Sequence, residues 1–129
     1  MRKKHLPVVF LSVIVLVVLA SCSGGIAGDA KAFLQALGKA DQEAARKYTS
    51  QGLTSSVQQN LDAATYFFAF DAQTSGGIKR VSCKAYGEGG VGPEVECKVS
   101  FAKPGRFSAT VLLSFNQTGK IWKFVDEGN

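Results

Sequence analysis

"VSCKAYGEGGVGPEVECKVSF", Val81 to Phe101, holds two runs that alternate with a period of two around a glycine-rich loop. Val81, Cys83 and Ala85 alternate with Arg80, Ser82, Lys84 and Tyr86; Val95, Cys97, Val99 and Phe101 alternate with Glu94, Glu96, Lys98 and Ser100. Successive strand residues face opposite sides, so each run reads as a strand with one apolar face. The intervening "GEGGVGP" reads as a long hairpin loop. Setting Cys83 opposite Cys97 in an antiparallel pair places Val81 against Val99 and Ala85 against Val95 on one face. It also places Lys84 against Glu96 and Ser82 against Lys98 on the other. A register chosen from the cysteines alone therefore sorts apolar from polar side chains and creates an opposite-charge pair across the strands.

The period of two continues. After "KPGR", Phe107, Ala109, Val111, Leu113 and Phe115 alternate with Ser108, Thr110 and Ser114. A three-residue loop, Pro104 to Arg106, is expected to set Phe101 opposite Ala109 and Val99 opposite Val111. Leu112 falls on the polar side of this scheme. A tight turn at Thr118-Gly119, pairing Gln117 with Lys120, is expected to bring Trp122 opposite Phe115 and Phe124 opposite Leu113.

Upstream the spacing changes to three and four. Asp29 precedes Ala30, Phe33, Leu34 and Leu37, with Gly38 after them, as in a capped amphipathic helix with a glycine stop. Asp41 opens a second helix with Ala44, Ala45 and Tyr48 on one face. Ser50 to Leu53 reads as a turn around Gly52, and Thr54 can cap a third helix carrying Val57, Leu61, Ala64 and Phe68. "YFFAF", Tyr66 to Phe70, can finish that helix or form a short buried strand, and "DAQTSGG" ends it either way. The expected class is α+β, with N-terminal helices covering the apolar face of a four-stranded antiparallel meander.

The first residues have a different character. "MRKK" precedes Leu6 to Ala20, fifteen uncharged residues rich in Val, Leu and Ile. This is the layout of an export signal, and it is short of the about 20 residues that a spanning helix needs. Leu19-Ala20-Ser21-Cys22 resembles the lipobox of bacterial lipoproteins. The resemblance implies cleavage between Ser21 and Cys22 and a diacylglyceryl group on the Cys22 thiol. An ordinary cleaved signal and an uncleaved signal anchor are the alternatives. One acyl chain binds a bilayer marginally and two or more hold firmly, so lipid can replace the missing helix. Residues 22–28, with "SGGIAG" after the cysteine, are expected to be a flexible tether, and 29–129 a single domain. Ser23 points, by the same resemblance, to the outer membrane in a Gram-negative host. The expected location is thus the extracytoplasmic face of the cell envelope, with the lipid bilayer as the first partner.

Of the three cysteines, assigning Cys22 to lipid leaves Cys83 and Cys97, an even pair outside the reducing cytosol. A structural disulfide is expected, with free buried thiols or a redox-active pair as alternatives. The 108 residues after Ser21 suit one small domain. The net charge of +5 includes Arg2, Lys3 and Lys4, so the remainder carries 12 basic against 10 acidic side chains. Nucleic-acid binding has no electrostatic support in that balance. The only histidine, His5, lies in the signal, which excludes Ser/His and Cys/His catalysis in the domain and removes the usual metal ligand. No cofactor is expected.

"FLQALGKADQEAARKYTSQGL", Phe33 to Leu53, followed by strands and "TGKIWKF", Thr118 to Phe124, is similar to small lipoproteins of a domain family of unknown function. That family has a lumazine-binding-like, nuclear-transport-factor-two-like fold. Phe33, Leu34, Ala36, Leu37 and Asp41 carry the resemblance in the helices, and Gly119, Lys120, Trp122 and Lys123 in the last hairpin. Thr118 stands where members usually have Asp. The resemblance implies a cone of helices packed into a curved sheet, often with a pocket at its open end. Enzymes of that fold, such as ketosteroid isomerases, use a pocket carboxylate with a burial-shifted pKa. The carboxylates of Asp62, Asp71 and Asp126 and the phenols of Tyr48, Tyr66 and Tyr86 are the groups available for such chemistry. A non-catalytic module binding a small apolar ligand or another envelope protein is the favoured function. Its candidate pocket comprises Tyr48, Tyr66, Phe68, Asp71, Phe115 and Trp122, with simple filling of the core by the aromatic residues as the alternative.

Overall fold

The computed structural model describes residues 25–89, 92–102 and 108–128. Ser21, Cys22 and the expected signal lie outside the described residues, as do Pro104 to Phe107. The chain is α+β. Helix α1 (residues 25–38), α2 (Gln42–Arg46) and α3 (Ser55–Thr74) are followed by β1 (Ile78–Gly89), β2 (Gly92–Phe101), β3 (Ser108–Phe115) and β4 (Ile121–Asp126). The strands form one antiparallel sheet in the order β1-β2-β3-β4.

The first hairpin has the register set by its cysteines: Val81 faces Val99, Cys83 faces Cys97, Lys84 faces Glu96 and Ala85 faces Val95. Cys83 and Cys97 are joined in a disulfide, Cα atoms 4.1 Å apart. Cys97 is fully buried beside Val95 and Val99, so the bridge lies on the core face of the sheet. Both strands run further into "GEGGVGP" than expected, to Gly89 and Gly92. Ala85 keeps its partner but is exposed on the edge strand.

The other two registers differ from expectation in instructive ways. Val99 pairs with Ala109 and Cys97 with Val111, two residues away from the expected pairing. A shift of two preserves every side chain's face, and Val99, Ala109 and Val111 are all buried. The last turn is one residue longer than expected. Asn116 N–H donates to the Lys120 carbonyl (2.8 Å), while Asn116 Oδ1 accepts from the Thr118 and Lys120 amides (3.1 and 2.9 Å). Gly119 at φ 80° supplies the left-handed residue such a three-residue loop uses. Phe115 then faces Ile121, not Trp122. A bulge at Trp122 absorbs the extra residue and restores Ser114 against Lys123 and Leu113 against Phe124. Ile121 is consequently buried and Trp122 only half-buried.

The helices cover one face of this sheet. Residues 25–28, expected in the tether, are helical and continuous with the rest of α1, and Asp29 lies inside the helix. Ile26 packs on the core and extends the stripe of Ala30, Phe33, Leu34 and Leu37 at helical spacing. Gly38 is not the left-handed stop; Ala40 is, at φ 59°. The amides of Ala40 and Asp41 bond to the carbonyls of Leu37 and Ala36 (3.0 and 2.9 Å), the paired bonds of a Schellman closure. Gly38 is needed for close approach, since a Cβ there would lie 2.7 Å from Ile78 Cδ1 at the start of β1.

Asp41 caps α2, its Oδ1 accepting from the Ala44 amide (3.1 Å). Beyond α2, Ser50 N–H donates to the Ile121 carbonyl and Ile121 N–H to the Tyr48 carbonyl (both 2.8 Å), which occupies the start of the β4 edge. Thr54 holds the N-cap position of α3 without a side-chain cap bond.

"YFFAF" belongs to α3, which continues through "DAQT" and closes on Gly76 at φ 78°. Leu61, Phe68, Ala69 and Ala72 are its buried residues. Phe68 lies between Phe101 and Phe124, ring centroids 6.0 and 5.5 Å away, and Phe33 meets Phe124 edge-on at 6.0 Å.

Two outcomes follow from these contacts. Ala40→Gly removes a left-handed backbone penalty of roughly 1–2 kcal/mol for a residue with a Cβ, so it should raise the urea midpoint; an unchanged or lower midpoint contradicts the closure described. Replacing Cys83 and Cys97 together by Ala should lower the unfolding free energy by about 3 kcal/mol, the chain-entropy value for a 15-residue loop, while circular dichroism retains the α+β signature.

Candidate functional site

The six residues expected to share a pocket are distributed over several parts of the domain. Phe68 and Phe115 are fully buried core residues. Tyr48 is half-buried against the core, at the bridge to β4. Asp71 is half-buried near the C-terminal end of α3. Tyr66 lines a cleft between helices, whereas Phe115 and Trp122 line another beside the last turn. The space inside the helix–sheet sandwich is occupied by Phe33, Leu34, Phe68, Val95, Val99, Leu113, Phe115 and Ile121. Concavities therefore lie around this filled core.

The helical cleft has a volume of about 310 Å³ and opens to solvent. Phe33 and Leu37 of α1, Ala45 of α2 and Leu61 of α3 form an apolar floor. Gln42 and Arg46 from α2, and Asp62, Thr65 and Tyr66 from α3, bring polar groups to its walls. The local sequence explains the arrangement: Arg46 closes the last turn of a five-residue helix, and Asp62 and Tyr66 are one turn apart on α3. Gln58 Nε2 donates to Asp62 Oδ1 (2.9 Å), holding that carboxylate along the helix. An apolar floor with a few polar wall groups, at the lower end of ligand-site volumes, suits a small amphipathic molecule.

Two further clefts meet at Trp122. One, about 440 Å³, runs between Val57, Asn60 and Leu61 of α3 and Trp122 to Val125 of β4. The other, about 460 Å³, is lined by Leu53, Gly92, Pro93, Phe115, Asn116, Gln117 and Trp122. The bulge in β4 created this shared wall by turning Trp122 out of the core, a placement no period-two reading can give. Among the described residues, no group of three or more His, Cys, Asp and Glu side chains is arranged to hold a metal ion.

The sequence pattern does not anticipate that Tyr66, expected in the pocket, shares an exposed face with Phe67 and Phe70. They are 60, 64 and 55 % exposed, with the Tyr66 and Phe67 rings packed edge to face at 5.6 Å. Reading α3 as a helix through Phe70 puts positions 66, 67 and 70 one to four residues apart on the side away from Phe68 and Ala72. The helical spacing that selected Phe68 as core was the available signal. On the outer sheet face, Tyr86 hydroxyl donates to Glu96 Oε1 (3.1 Å), and Leu112 pairs with the exposed Val125. Leu112, off the apolar pattern, is half-buried there.

Comparison of the chain with protein-family models, curated proteins and solved structures gives no match.

The hydrogen bond to Glu96, followed by its negative charge, raises the Tyr86 phenol above its ordinary value. The folded phenol keeps its proton beyond the pH at which the unfolded one loses it. The bond's contribution is therefore complete below about pH 10 and is lost as the pH climbs through the folded value. The tyrosinate absorbance deleted by Tyr86→Phe should titrate above the usual phenol range, and Glu96→Gln should bring it down; identical titrations with and without Glu96 contradict the bond.

Proposed function

We propose that the protein is a lipid-anchored lipoprotein of the bacterial cell envelope whose domain is a non-catalytic binding or interaction module of the lumazine-binding-like, nuclear-transport-factor-two-like kind. The observation that carries the reading is the division of the three cysteines. Cys83 and Cys97 are joined in one bridge, and Cys22 is the remaining thiol, placed directly after Leu19-Ala20-Ser21 and an export-type apolar run. A bridge of this kind belongs to oxidising compartments, which agrees with export of the domain.

The finer fold reading is supported by helices that precede a four-stranded meander and cover one of its faces, with residues 48–50 bridging to β4. The helical cleft is the favoured place for a small ligand. Its floor is apolar and preformed, while Arg46, Asp62 and Thr65 offer one cation, one carboxylate and one hydroxyl for orientation. The same surface is open enough to receive a side chain from another envelope protein.

Metabolic labelling with palmitate tests the anchor. The wild-type chain should incorporate label and stay with membranes through alkaline carbonate washing. Cys22→Ala should incorporate none and accumulate as uncut precursor. An exported wild-type product in the soluble fraction, with a free thiol at its amino terminus, overturns the reading.

A further inference from the structure

Helix α3 has two apolar faces, and the core uses only one. Leu61, Phe68, Ala69 and Ala72 are buried against the sheet and α1. Tyr66, Phe67 and Phe70 present three large rings on the opposite side, each more than half exposed. Clustered exposed rings of this size mark an interaction surface, because single scattered apolar residues are normal and a patch is not. The polar residues of α3 limit the choice of partner. Ser55 to Thr74 contains no Lys or Arg, and its charged residues are Asp62 and Asp71. The helix therefore has no cationic face for an anionic polymer or an acidic lipid headgroup.

The position of Cys22 supplies the occupant. It precedes the first described residue of α1 by three positions. Three residues span at most about 10 Å when fully extended. A domain of about 100 residues has a radius of gyration of about 13 Å, so an acyl group on Cys22 keeps the whole domain within its own dimensions of the headgroup layer. Under that constraint the orientation is set by the face that gains most from contact with the interface. Aromatic rings with a polar or quadrupolar edge favour headgroup depth. Among the described residues no helix is long and apolar enough to span a bilayer, so α3 would lie along the surface.

We infer that Tyr66, Phe67 and Phe70 of α3 form a membrane-docking face that seats in the headgroup region of the phospholipid bilayer to which Cys22 anchors the chain. The inference rests on the lipid anchor proposed above. Docking through α3 holds the domain in one orientation and turns the outer sheet face, with Tyr86 and Glu96, away from the membrane. It also places the Tyr66 edge of the helical cleft at the lipid–water boundary, where an amphipathic ligand leaving the bilayer would meet the apolar floor of Phe33, Leu37 and Leu61.

The test uses the full chain, processed and acylated by its host, purified and reconstituted in phosphatidylcholine vesicles. Trp122→Phe removes the single native tryptophan, and Phe67→Trp places a reporter on the docking face. Phe70→Trp repeats it one turn away, and Tyr86→Trp is the control on the far side of the sheet. Lipids brominated high on the acyl chain should quench most of the emission at positions 67 and 70 and leave position 86 nearly unaffected. Flotation of the protein with the vesicles is read in the same samples. Flotation with position 67 or 70 no more quenched than position 86 overturns the docking face and leaves the anchor standing. A blue-shifted, unquenched reporter also overturns it, because the patch is then covered by a second copy or another protein. Loss of flotation overturns the anchor and the inference with it.

Discussion

Phe68 is held between Phe101 of β2 and Phe124 of β4, and Phe33 of α1 meets the same Phe124 ring edge-on. This aromatic seam fixes how far along, and in which rotation, α3 lies on the sheet. A helix of twenty residues with five consecutive large or small apolar positions has several rotations that bury a ring. Seating Phe68 selects one, and with it Leu61, Ala69 and Ala72 turn inward. The same rotation sends Tyr66, Phe67 and Phe70 outward. The cleft between helices and the groove beside β4 inherit their walls from this choice, since Leu61 contributes to both.

The sheet that receives α3 is kept in register by two kinds of constraint. One is covalent: the Cys83–Cys97 bridge joins directly opposed residues on the core face. The other is the pairing of like with like across β1, β2 and β3, where Val81, Val95, Val99, Ala109, Val111 and Leu113 make a continuous apolar surface. A slip of one residue would reverse every side chain and expose that surface. On the outer face, Glu96 accepts the diagonal Tyr86 hydroxyl while its directly opposed neighbour is Lys84, so polar contacts agree with the register that the core imposes.

How much was legible in the sequence varies with the kind of signal. The β1–β2 register could be read to the residue because cysteines, apolar residues and charges all pointed to one alignment. The β2–β3 pairing lacked such a marker; a shift of two leaves a period of two unchanged, and so the pattern chose the faces but not the partners. Trp122 was misplaced because a three-residue turn and a bulge cancel each other within four residues, leaving Leu113 opposite Phe124 as expected while exchanging Trp122 for Ile121 in the core. "YFFAF" was ambiguous because an unbroken apolar run has no period of its own. The flanking stripe of Leu61 and Ala64 held the answer. The first turn of α1 was hidden by Gly25 and Gly28, although Ile26 and Ala30 already stand four apart. The pocket expectation gathered aromatics by residue type, and the fold divides them between a filled core, a helical cleft and an exposed face.

These features give a consistent physical picture of a small α+β domain. Among the described residues its interior is filled with aromatic and aliphatic side chains, its recesses open to solvent, and three exposed rings lie on the helix that the seam orients. The most direct measurement of that orientation is a comparison of unfolding free energies in urea for Phe68→Ala, Phe67→Ala and Phe70→Ala. Truncating a ring in a packed core costs about 3–5 kcal/mol, whereas a surface ring costs within about 0.5 kcal/mol. The account predicts a large loss for Phe68→Ala and near-native stability for the other two. Comparable losses at positions 67 and 68, or a larger one at 67, would contradict it.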